Sequence, residues 1–222
     1  MWASLERYPW RWTLVLLAPL VLFPQIDLWA SGLFYLPERQ VFLMRSHPLG
    51  DFTRKTLPIF LFAAAAVVAL AGAGARLSRR SRLFGISPRG ALFVVASLAL
   101  GPGLIVNLIL KDYWGRPRPS TIAQFGGPNV YTSALLPSAQ CADNCSFPSG
   151  HAALGFWTLA LALLVPLSRR RPAVAAAVVF GGGMGVMRIA QGGHFLSDVA
   201  FSGVIVIGLT LWLHRRIVSA DN

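Results

Sequence analysis

Long apolar runs constrain this chain more than any other feature of its sequence. A helix needs about 20 residues to cross the hydrocarbon of a bilayer, and several runs approach that length. Only 13% of the residues are charged and 55% are hydrophobic, whereas charged residues make up about a quarter of a typical soluble domain. We therefore predict an all-α integral membrane protein with one domain over residues 1–222. The six predicted transmembrane helices of this bundle are at about 12–28, 57–75, 91–110, 150–167, 172–189 and 195–213.

Two other stretches carry structural predictions. Residues 29–52 mix aromatic, aliphatic and charged side chains without a spanning length, which is typical of an interfacial segment lying on the membrane surface. In the fifth run, Gly181 and Gly185 are four residues apart, and small residues at this spacing favour close packing of two helices.

The formal charge of +12 raises the question of nucleic-acid binding. However, the basic residues are mainly in short loops beside the apolar runs, where the positive-inside rule accounts for them. Twelve of the 20 Lys and Arg residues fall on the face that holds both termini, and six of the eight acidic residues fall on the other face. The sequence thus predicts cytoplasmic termini, outer loops after the first, third and fifth helices, and no nucleic-acid partner.

The first of three polar clusters on the predicted outer face is "KDYWGRPRP", residues 111–119. Lys111 closes the third helix, and Arg116 and Arg118 follow it. Taken alone, the cluster fits a basic interfacial belt with a Trp anchor equally well. Trp114 and Arg116 are predicted to lie at headgroup level and to contact the headgroup of a lipid.

The second cluster opens the fourth helix in "FPSGHAALGF", residues 147–156. Ser149 and the backbone N–H groups of Gly150 and His151 would lie at the helix N-terminus. Free backbone donors and the positive end of the helix dipole favour anion binding there. A plain Ser cap beside a snorkelling His is the alternative for this stretch on its own.

The third cluster is "RIAQGGHFLSD", residues 188–198. Arg188 ends the fifth helix, and His194 and Asp198 are four residues apart, so they share a helix face. A carboxylate beside one imidazole nitrogen makes the other nitrogen a better base or nucleophile. A structural polar contact or half of a metal site would use the same pair.

Together, the clusters place cationic side chains, a helix N-terminus and two His on one outer face. Cationic groups around a dianion are what phosphoryl transfer requires, because positioning and charge stabilisation dominate that reaction. The combination therefore predicts a phosphate site.

On these motifs the chain resembles the type-2 phosphatidic acid phosphatase superfamily, which also includes glucose-6-phosphatase and the vanadium haloperoxidases. The family signature Lys-x6-Arg-Pro matches Lys111 to Pro119, Pro-Ser-Gly-His matches 148–151, and Arg-x5-His-x3-Asp matches Arg188 to Asp198. The Ser that usually precedes the last motif's Arg is replaced by Met187. The resemblance implies a fold related to the helical core of the acid phosphatases and vanadium haloperoxidases.

The resemblance also implies a role for each matching residue. His194 would attack phosphorus to form a phosphohistidine, Asp198 would orient it, and His151 would protonate the leaving oxygen and later activate water. No cofactor and no metal are implied, and the acidic residues form no evident carboxylate cage for Mg²⁺. The expected phosphate-binding residues are Lys111, Arg118, Ser149, Gly150 and Arg188.

A site at the outer ends of the helices suits a membrane lipid phosphate, and no obligate protein partner is expected. Within the superfamily, "CSFPSGHAA" and "QGGHFLSDV" look like stretches of bacterial lipid A phosphatases, which implies removal of the 1- or 4'-phosphate at the periplasmic face of the inner membrane. Undecaprenyl pyrophosphate or phosphatidylglycerophosphate hydrolysis, and phosphoryl transfer to another lipid, are alternatives. A non-enzymatic alternative is an anion-binding transporter or scaffold.

Cys141 and Cys145 flank three residues in the outer loop before Ser149. An oxidising periplasm favours a disulfide between them. Two free thiols are the alternative, and a metal site would need more soft ligands than these two.

Overall fold

The computed structural model describes residues 9–218 of the chain. This part is mainly helical, with two short strands that pair antiparallel, Tyr35 with Phe42 and Leu36 with Val41. In chain order, the main elements are α1 (Pro9–Leu22), α2 (Gln25–Gly32), β1 (Tyr35–Leu36), β2 (Val41–Phe42), α3 (Pro48–Leu77), α4 (Pro88–Tyr113), α5 (Gly150–Leu163), α6 (Leu167–Ala190) and α7 (Leu196–Ile217).

Four of these helices, α3, α4, α6 and α7, are long and apolar enough to cross a membrane. The bent pair formed by α1 and α2 would make a fifth span if it is counted as one, and α5 is apolar but shorter. The chain is thus a multi-pass helical membrane protein, as its hydropathy predicts. The described residues contain four or five such spans by length and composition, against the six predicted from the sequence.

The single helix predicted over 12–28 is wrong, because the chain bends by 88° between α1 and α2. Pro24 accounts for the break: it lacks an N–H group, and its ring disfavours the helical conformation for Phe23. The new helix starts with the bond from Asp27 N to Pro24 O, at 3.1 Å. The bend leaves Asp27 only 1% exposed. Arg7 and the two chain termini, predicted to be cytoplasmic, lie outside the described residues.

The other helix ends also differ from the predicted ones. α3 begins at Pro48, so the end of the predicted interfacial segment 29–52 is helical. The earlier part of that segment contains the end of α2 and the hairpin β1–β2. Met44 N donates to Ala190 O at 3.0 Å, which holds the hairpin against the end of α6. α5 stops at Leu163 and α6 starts at Leu167, because Pro166 interrupts the chain between them.

A long π-helical stretch, Ala99–Leu110, makes up the second half of α4. Pro102 lies inside it and cannot donate a backbone hydrogen bond. The carbonyl oxygen of Pro102 accepts a hydrogen bond from the Asn107 side chain, whose Nδ2 lies 2.7 Å away. Wide turns of this kind are frequent at functional sites, and this one turns Asn107 toward the start of α5.

α5 is the central helix of the bundle and contacts α4, α6 and α7. Trp157 in its middle is fully buried, and the indole N–H donates to Val94 O and to Ser97 Oγ of α4, both at 3.2 Å. On α6, a Cβ at Gly181 would overlap the ring of Phe156 on α5, and a Cβ at Gly185 would overlap Val199 on α7. These glycines therefore permit the close packing that their spacing predicts.

A substitution at Gly181 tests this packing. Gly181→Ala should destabilise the protein by about 1–3 kcal/mol, the usual cost of overpacking a core, because the Phe156 ring lies where the new methyl group would be. Gly182→Ala is the matched control, since a Cβ there meets nothing within 4 Å. Thermal unfolding in detergent measures both, and equal midpoints for the two variants would contradict the packing.

Candidate active site

The residues of the three sequence motifs meet at one end of the helix bundle. Lys111 is in the last turn of α4, and His151 is in the first turn of α5. Arg188 is in the last turn of α6. His194 lies in the turn before α7, and Asp198 lies in the first turn of α7. Helices that run in alternating directions thus bring residues far apart in the sequence to one layer.

His194 is the most enclosed of the motif His residues, with 1% of its surface exposed. Its Nδ1 lies 2.6 Å from the backbone carbonyl oxygen of Ser146. A carbonyl can only accept a hydrogen bond, so Nδ1 carries the proton and Nε2 keeps its lone pair. Nε2 makes no hydrogen bond with the described residues, which leaves it available as a nucleophile.

Asp198 does not bond His194 directly, although the spacing of the two residues predicts contact. Its Oδ2 is 3.7 Å from His194 Nδ1, beyond hydrogen-bond distance, and it accepts instead from Ser146 Oγ at 2.5 Å and from Phe195 N at 2.8 Å. Ser146 therefore contacts both residues, with its carbonyl on His194 and its hydroxyl on Asp198. Sequence reasoning missed Ser146, which precedes the second motif by only two residues.

Burial lowers the pKa of His194 to about 3. The neighbouring carboxylate of Asp198 opposes this shift, whereas the positive charges of Lys111 and Arg188 reinforce it. The imidazole is accordingly neutral at neutral pH, which is the form that can attack an electrophile.

His151 is held by a backbone carbonyl of a neighbouring helix. Its Nε2 lies 3.0 Å from Arg54 O, in the π-helical part of α3, Phe52–Thr56. The carbonyl can only accept, so Nε2 carries a proton. Nδ1 makes no hydrogen bond with the described residues and is the nitrogen left for proton exchange with a ligand.

Two cations beside the His residues are buried without a counter-ion. Lys111 is 8% exposed and Arg188 is 5% exposed, and neither forms an ion pair within residues 9–218. Arg188 Nη1 donates to Gln191 Oε1, while its buried Nε has no partner. Because an unpaired buried charge is costly, this arrangement favours an anionic ligand.

Arg118 adds a third cation at the edge of the site. Its Nε and Nη2 both donate to Asn144 O, at 3.2 and 2.6 Å. Burial lowers the pKa of Arg118, and the positive charge of Arg45 adds to this effect. Cys141 and Cys145 are joined by a disulfide, and the small ring that it closes contains Asn144.

The start of α5 is shaped by its capping Ser and the Gly that follows. Ser149 Oγ accepts from Ala152 N at 3.4 Å, and Ser149 is fully buried, so its hydroxyl acts as a helix cap and its contact with a phosphate stays a prediction. A Cβ at Gly150 would collide with the side chain of Asn107. Gly at this position therefore leaves room for the Asn107 side chain.

Gly193 makes room for the Arg188 guanidinium, and Gln191 binds it. A Cβ at Gly193 would lie 2.6 Å from Arg188 Nη2, so the Gly before His194 makes room for the cation. Met187, which replaces the Ser usual in the family signature, has no polar side-chain group for a hydrogen bond. Gln191, one turn later, supplies the side-chain acceptor for Arg188.

A cavity of about 400 Å³ opens beside the polar cluster. One end is polar, with Lys111, His151 and Asn107, and its other wall is apolar. The remaining lining residues are Pro58, Phe62, Leu98, Ala99, Pro102, Gly103, Asn144, Gly150 and Leu154. The cavity thus fits a ligand that is anionic at one end and apolar at the other.

The prediction that Arg116 contacts a headgroup is wrong, because its side chain is 0% exposed. It forms ion pairs with Asp198 and, at 2.8 Å, with Asp27. Although burial opposes the shift, these two carboxylates raise the pKa of Arg116. Trp114 is half-buried, and its indole N–H is already bonded to Ala134 O at 2.6 Å. Its headgroup contact stays a prediction.

Asp27 is the second residue of the site that sequence reasoning missed. It lies far from the motifs in the sequence, and only the bend at Pro24 brings it to them.

Among residues 9–218, no group of three or more His, Cys, Asp or Glu side chains could hold a metal ion.

The chain is similar in sequence to one protein family and to named phosphatases. The model of the PAP2 superfamily matches residues 90–220. The chain is 39% identical over 198 residues to the lipid A 4'-phosphatase of Francisella tularensis subsp. novicida (strain U112), covering 87% of this chain and 86% of that protein. It is 33% identical over 225 aligned positions to the lipid A 4'-phosphatase of Rhizobium etli, covering 95% and 82%. No solved structure shows significant similarity to the chain.

The low pKa of His194 predicts a pH dependence of stability. The folded protein holds this imidazole neutral, so the associated stability is complete above the ordinary pKa of 6.5 and is lost as the pH falls from there toward 3. The wild type should lose up to about 1.4 kcal/mol per pH unit in this range relative to His194→Asn, which keeps an N–H group but does not titrate. Thermal unfolding at about pH 7 and about pH 5 measures the difference. Identical losses in both proteins would contradict a neutral buried His194.

Proposed function

The chain belongs to the PAP2 superfamily, and from this we propose that it is a phosphoric monoester hydrolase that removes the 4'-phosphate of lipid A. The substrate class follows from its relatives, which are named lipid A 4'-phosphatases and match most of its length.

One observation carries the phosphate chemistry. Lys111 and Arg188 are buried without counter-ions beside a neutral His194 whose Nε2 is free. A phosphate monoester carries about two negative charges at neutral pH, so its binding would satisfy both cations. The same contacts strengthen when charge spreads over the equatorial oxygens in the transition state.

The proposed reaction has two steps. His194 Nε2 attacks phosphorus, the N–P bond forms, and the P–O bond to the sugar breaks, while His151, which enters this step protonated at both ring nitrogens, gives its Nδ1 proton to the leaving oxygen. A water molecule then attacks the phosphohistidine and passes its proton to His151, the N–P bond breaks, and inorganic phosphate leaves. Lys111, Arg118 and Arg188 hold the phosphate oxygens in both steps.

The position of the cavity supports a lipid substrate. Its polar end lies among the motif residues, and its apolar wall comes from α3, α4 and α5. A headgroup phosphate in the cavity can therefore meet Lys111 and His151 while the attached apolar groups stay beside the helices.

We further propose six spans, formed by α1, α3, α4, α5, α6 and α7, with both termini in the cytoplasm and the site facing the periplasm. α1 packs along α7, as a first spanning helix would. The basic loop 78–87 and the basic first turns of α6, residues 169–171, lie at the end of the bundle opposite the site, in agreement with the positive-inside rule.

His194→Ala tests the proposed nucleophile. Purified protein in detergent should release phosphate from lipid A, and the variant should lose turnover by about 10³-fold or more, as expected when a nucleophile is removed. His47→Gln, which changes an exposed His on the same side of the protein, is the matched control and should retain wild-type turnover. The measurement is inorganic phosphate release together with the mass of the lipid product.

The substrate is tested against other lipid phosphates in the same assay. Lipid A should lose one phosphate group, at the 4'-position, faster than undecaprenyl pyrophosphate or phosphatidylglycerophosphate reacts. Faster reaction of either comparator would contradict the proposed substrate, and full turnover by His194→Ala would contradict the proposed mechanism.

The orientation has its own test. In a protein with Cys141→Ser and Cys145→Ser, Gln124→Cys should react with a membrane-impermeant maleimide in spheroplasts. Ser81→Cys, in the loop between α3 and α4, should react only after lysis. Both positions are exposed, so the reverse pattern would place the site on the cytoplasmic side.

A further inference from the structure

Asp27 is a buried carboxylate outside the region that matches the family model, residues 90–220. It lies on α2, and its two oxygens bind α7 and the outer loop. Oδ1 accepts from Ser197 N at 2.8 Å, and Oδ2 accepts from Arg116 Nη2 at 2.8 Å and from the Tyr131 hydroxyl at 3.2 Å. Both oxygens thus accept hydrogen bonds from inside the protein.

Arg116 connects Asp27 to the motif residue Asp198. Its Nη2 binds Asp27, and its Nη1 binds Asp198 Oδ1 and, at 2.9 Å, Ser197 Oγ. Its Nε donates to Thr132 O at 2.8 Å, and its guanidinium lies 4.3 Å from the centre of the Phe195 ring. The side chain therefore has one orientation, and Asp27 holds the half of the guanidinium that faces away from Asp198.

Asp198 is in turn fixed at both oxygens. Arg116 holds Oδ1, while Ser146 Oγ and Phe195 N hold Oδ2. The backbone carbonyl of Ser146 also accepts a hydrogen bond from His194 Nδ1. The orientation of the nucleophilic imidazole is thus tied through Ser146 and Asp198 to Arg116.

The charges of this cluster point in the same direction. Asp27, Arg116 and Asp198 are each 1% exposed or less and together carry one net negative charge. When His194 Nε2 bonds to phosphorus, the ring retains its Nδ1 proton and becomes positive. A fixed negative charge close to it stabilises that state, and without Asp27 the cluster would be neutral.

We propose that Asp27 is a positioning residue for the phosphoryl-transfer step, acting through Arg116 and Asp198 on His194. The inference rests on the proposed function, because it assigns Asp27 a part in orienting the nucleophile of that same site. It adds to the site a residue from α2 that none of the three motifs contains.

The first test is the kinetics of Asp27→Asn, which removes the charge but keeps the size of the side chain. Its kcat should fall by about 10- to 100-fold, since small misplacement of reacting groups has effects of that order. Its KM should change little, because Lys111, Arg118 and Arg188 are untouched. Glu38→Gln, which removes an exposed carboxylate in the β1–β2 turn, is the matched control and should keep wild-type kcat.

A double-mutant cycle with Arg116→Gln tests the route of the effect. If Asp27 acts through Arg116, the double variant should be no slower than Arg116→Gln alone. A double variant whose loss of kcat equals the product of the two single losses would overturn the proposal. Wild-type kcat in a folded Asp27→Asn protein would also overturn it. If Asp27→Asn does not fold, Ser197→Ala is the second variant, because it removes only the hydroxyl that bridges Asp27 and Arg116. Ser197→Ala should lower kcat and leave KM unchanged. An unchanged kcat in this variant would also overturn the proposal.

Ligand binding separates this inference from the proposed function. Orthovanadate can adopt the geometry of the transition state by bonding to His194, whereas inorganic phosphate needs only the cations. Thermal stabilisation of Asp27→Asn by vanadate should be weaker than that of the wild type, and stabilisation by phosphate should be equal. If vanadate stabilises the wild type but the wild type does not hydrolyse lipid A, only the proposed substrate is contradicted. The difference in vanadate stabilisation between the wild type and Asp27→Asn would still decide the role of Asp27. Equal vanadate stabilisation in both proteins, or none in the wild type, would overturn the inference.

Discussion

The buried guanidinium of Arg116 is the interaction on which the rest of the site depends. It joins α2, the outer loop and the start of α7 through Asp27, the carbonyl of Thr132 and Asp198. Removing one partner of such a buried ion pair typically costs about 3–5 kcal/mol, because the remaining charge is left uncompensated. The buried apolar cluster of Phe42, Ile122, Phe125 and Phe195, with Leu28 and Tyr131 packed against it, adds contacts among the same three segments.

The cations of the site divide into two kinds, and burial alone does not separate them. Arg116 is enclosed and matched by two carboxylates, so its charge is used within the protein. Lys111 and Arg188 are nearly as enclosed but have no carboxylate partner among residues 9–218. Their charge remains for a ligand, and the free Nε2 of a neutral His194 lies within their electrostatic influence.

Much of this could be predicted from the sequence, for a physical reason in each case. The lipid environment imposes long apolar helices, so α3, α4, α6 and α7 are visible in hydropathy alone. The end residues of these helices were predicted less well, because Pro24 and Pro166 redirect the chain inside or beside apolar runs. The glycines Gly181 and Gly185 could be predicted to pack closely, since only small residues permit it.

The sequence by itself determined that this is a helical membrane protein of the PAP2 superfamily, and it predicted which motif residues carry its chemistry, because hydropathy and motif spacing are local properties of the chain. Only the tertiary structure decided the role of each charge. Arg116 and Arg118 are two residues apart in one basic motif, yet the first pairs with carboxylates and the second binds the Asn144 carbonyl at the edge of the site. That difference depends on Asp27, a residue 89 positions away from Arg116. Whether a charge is paired or free is set by what the fold places beside it.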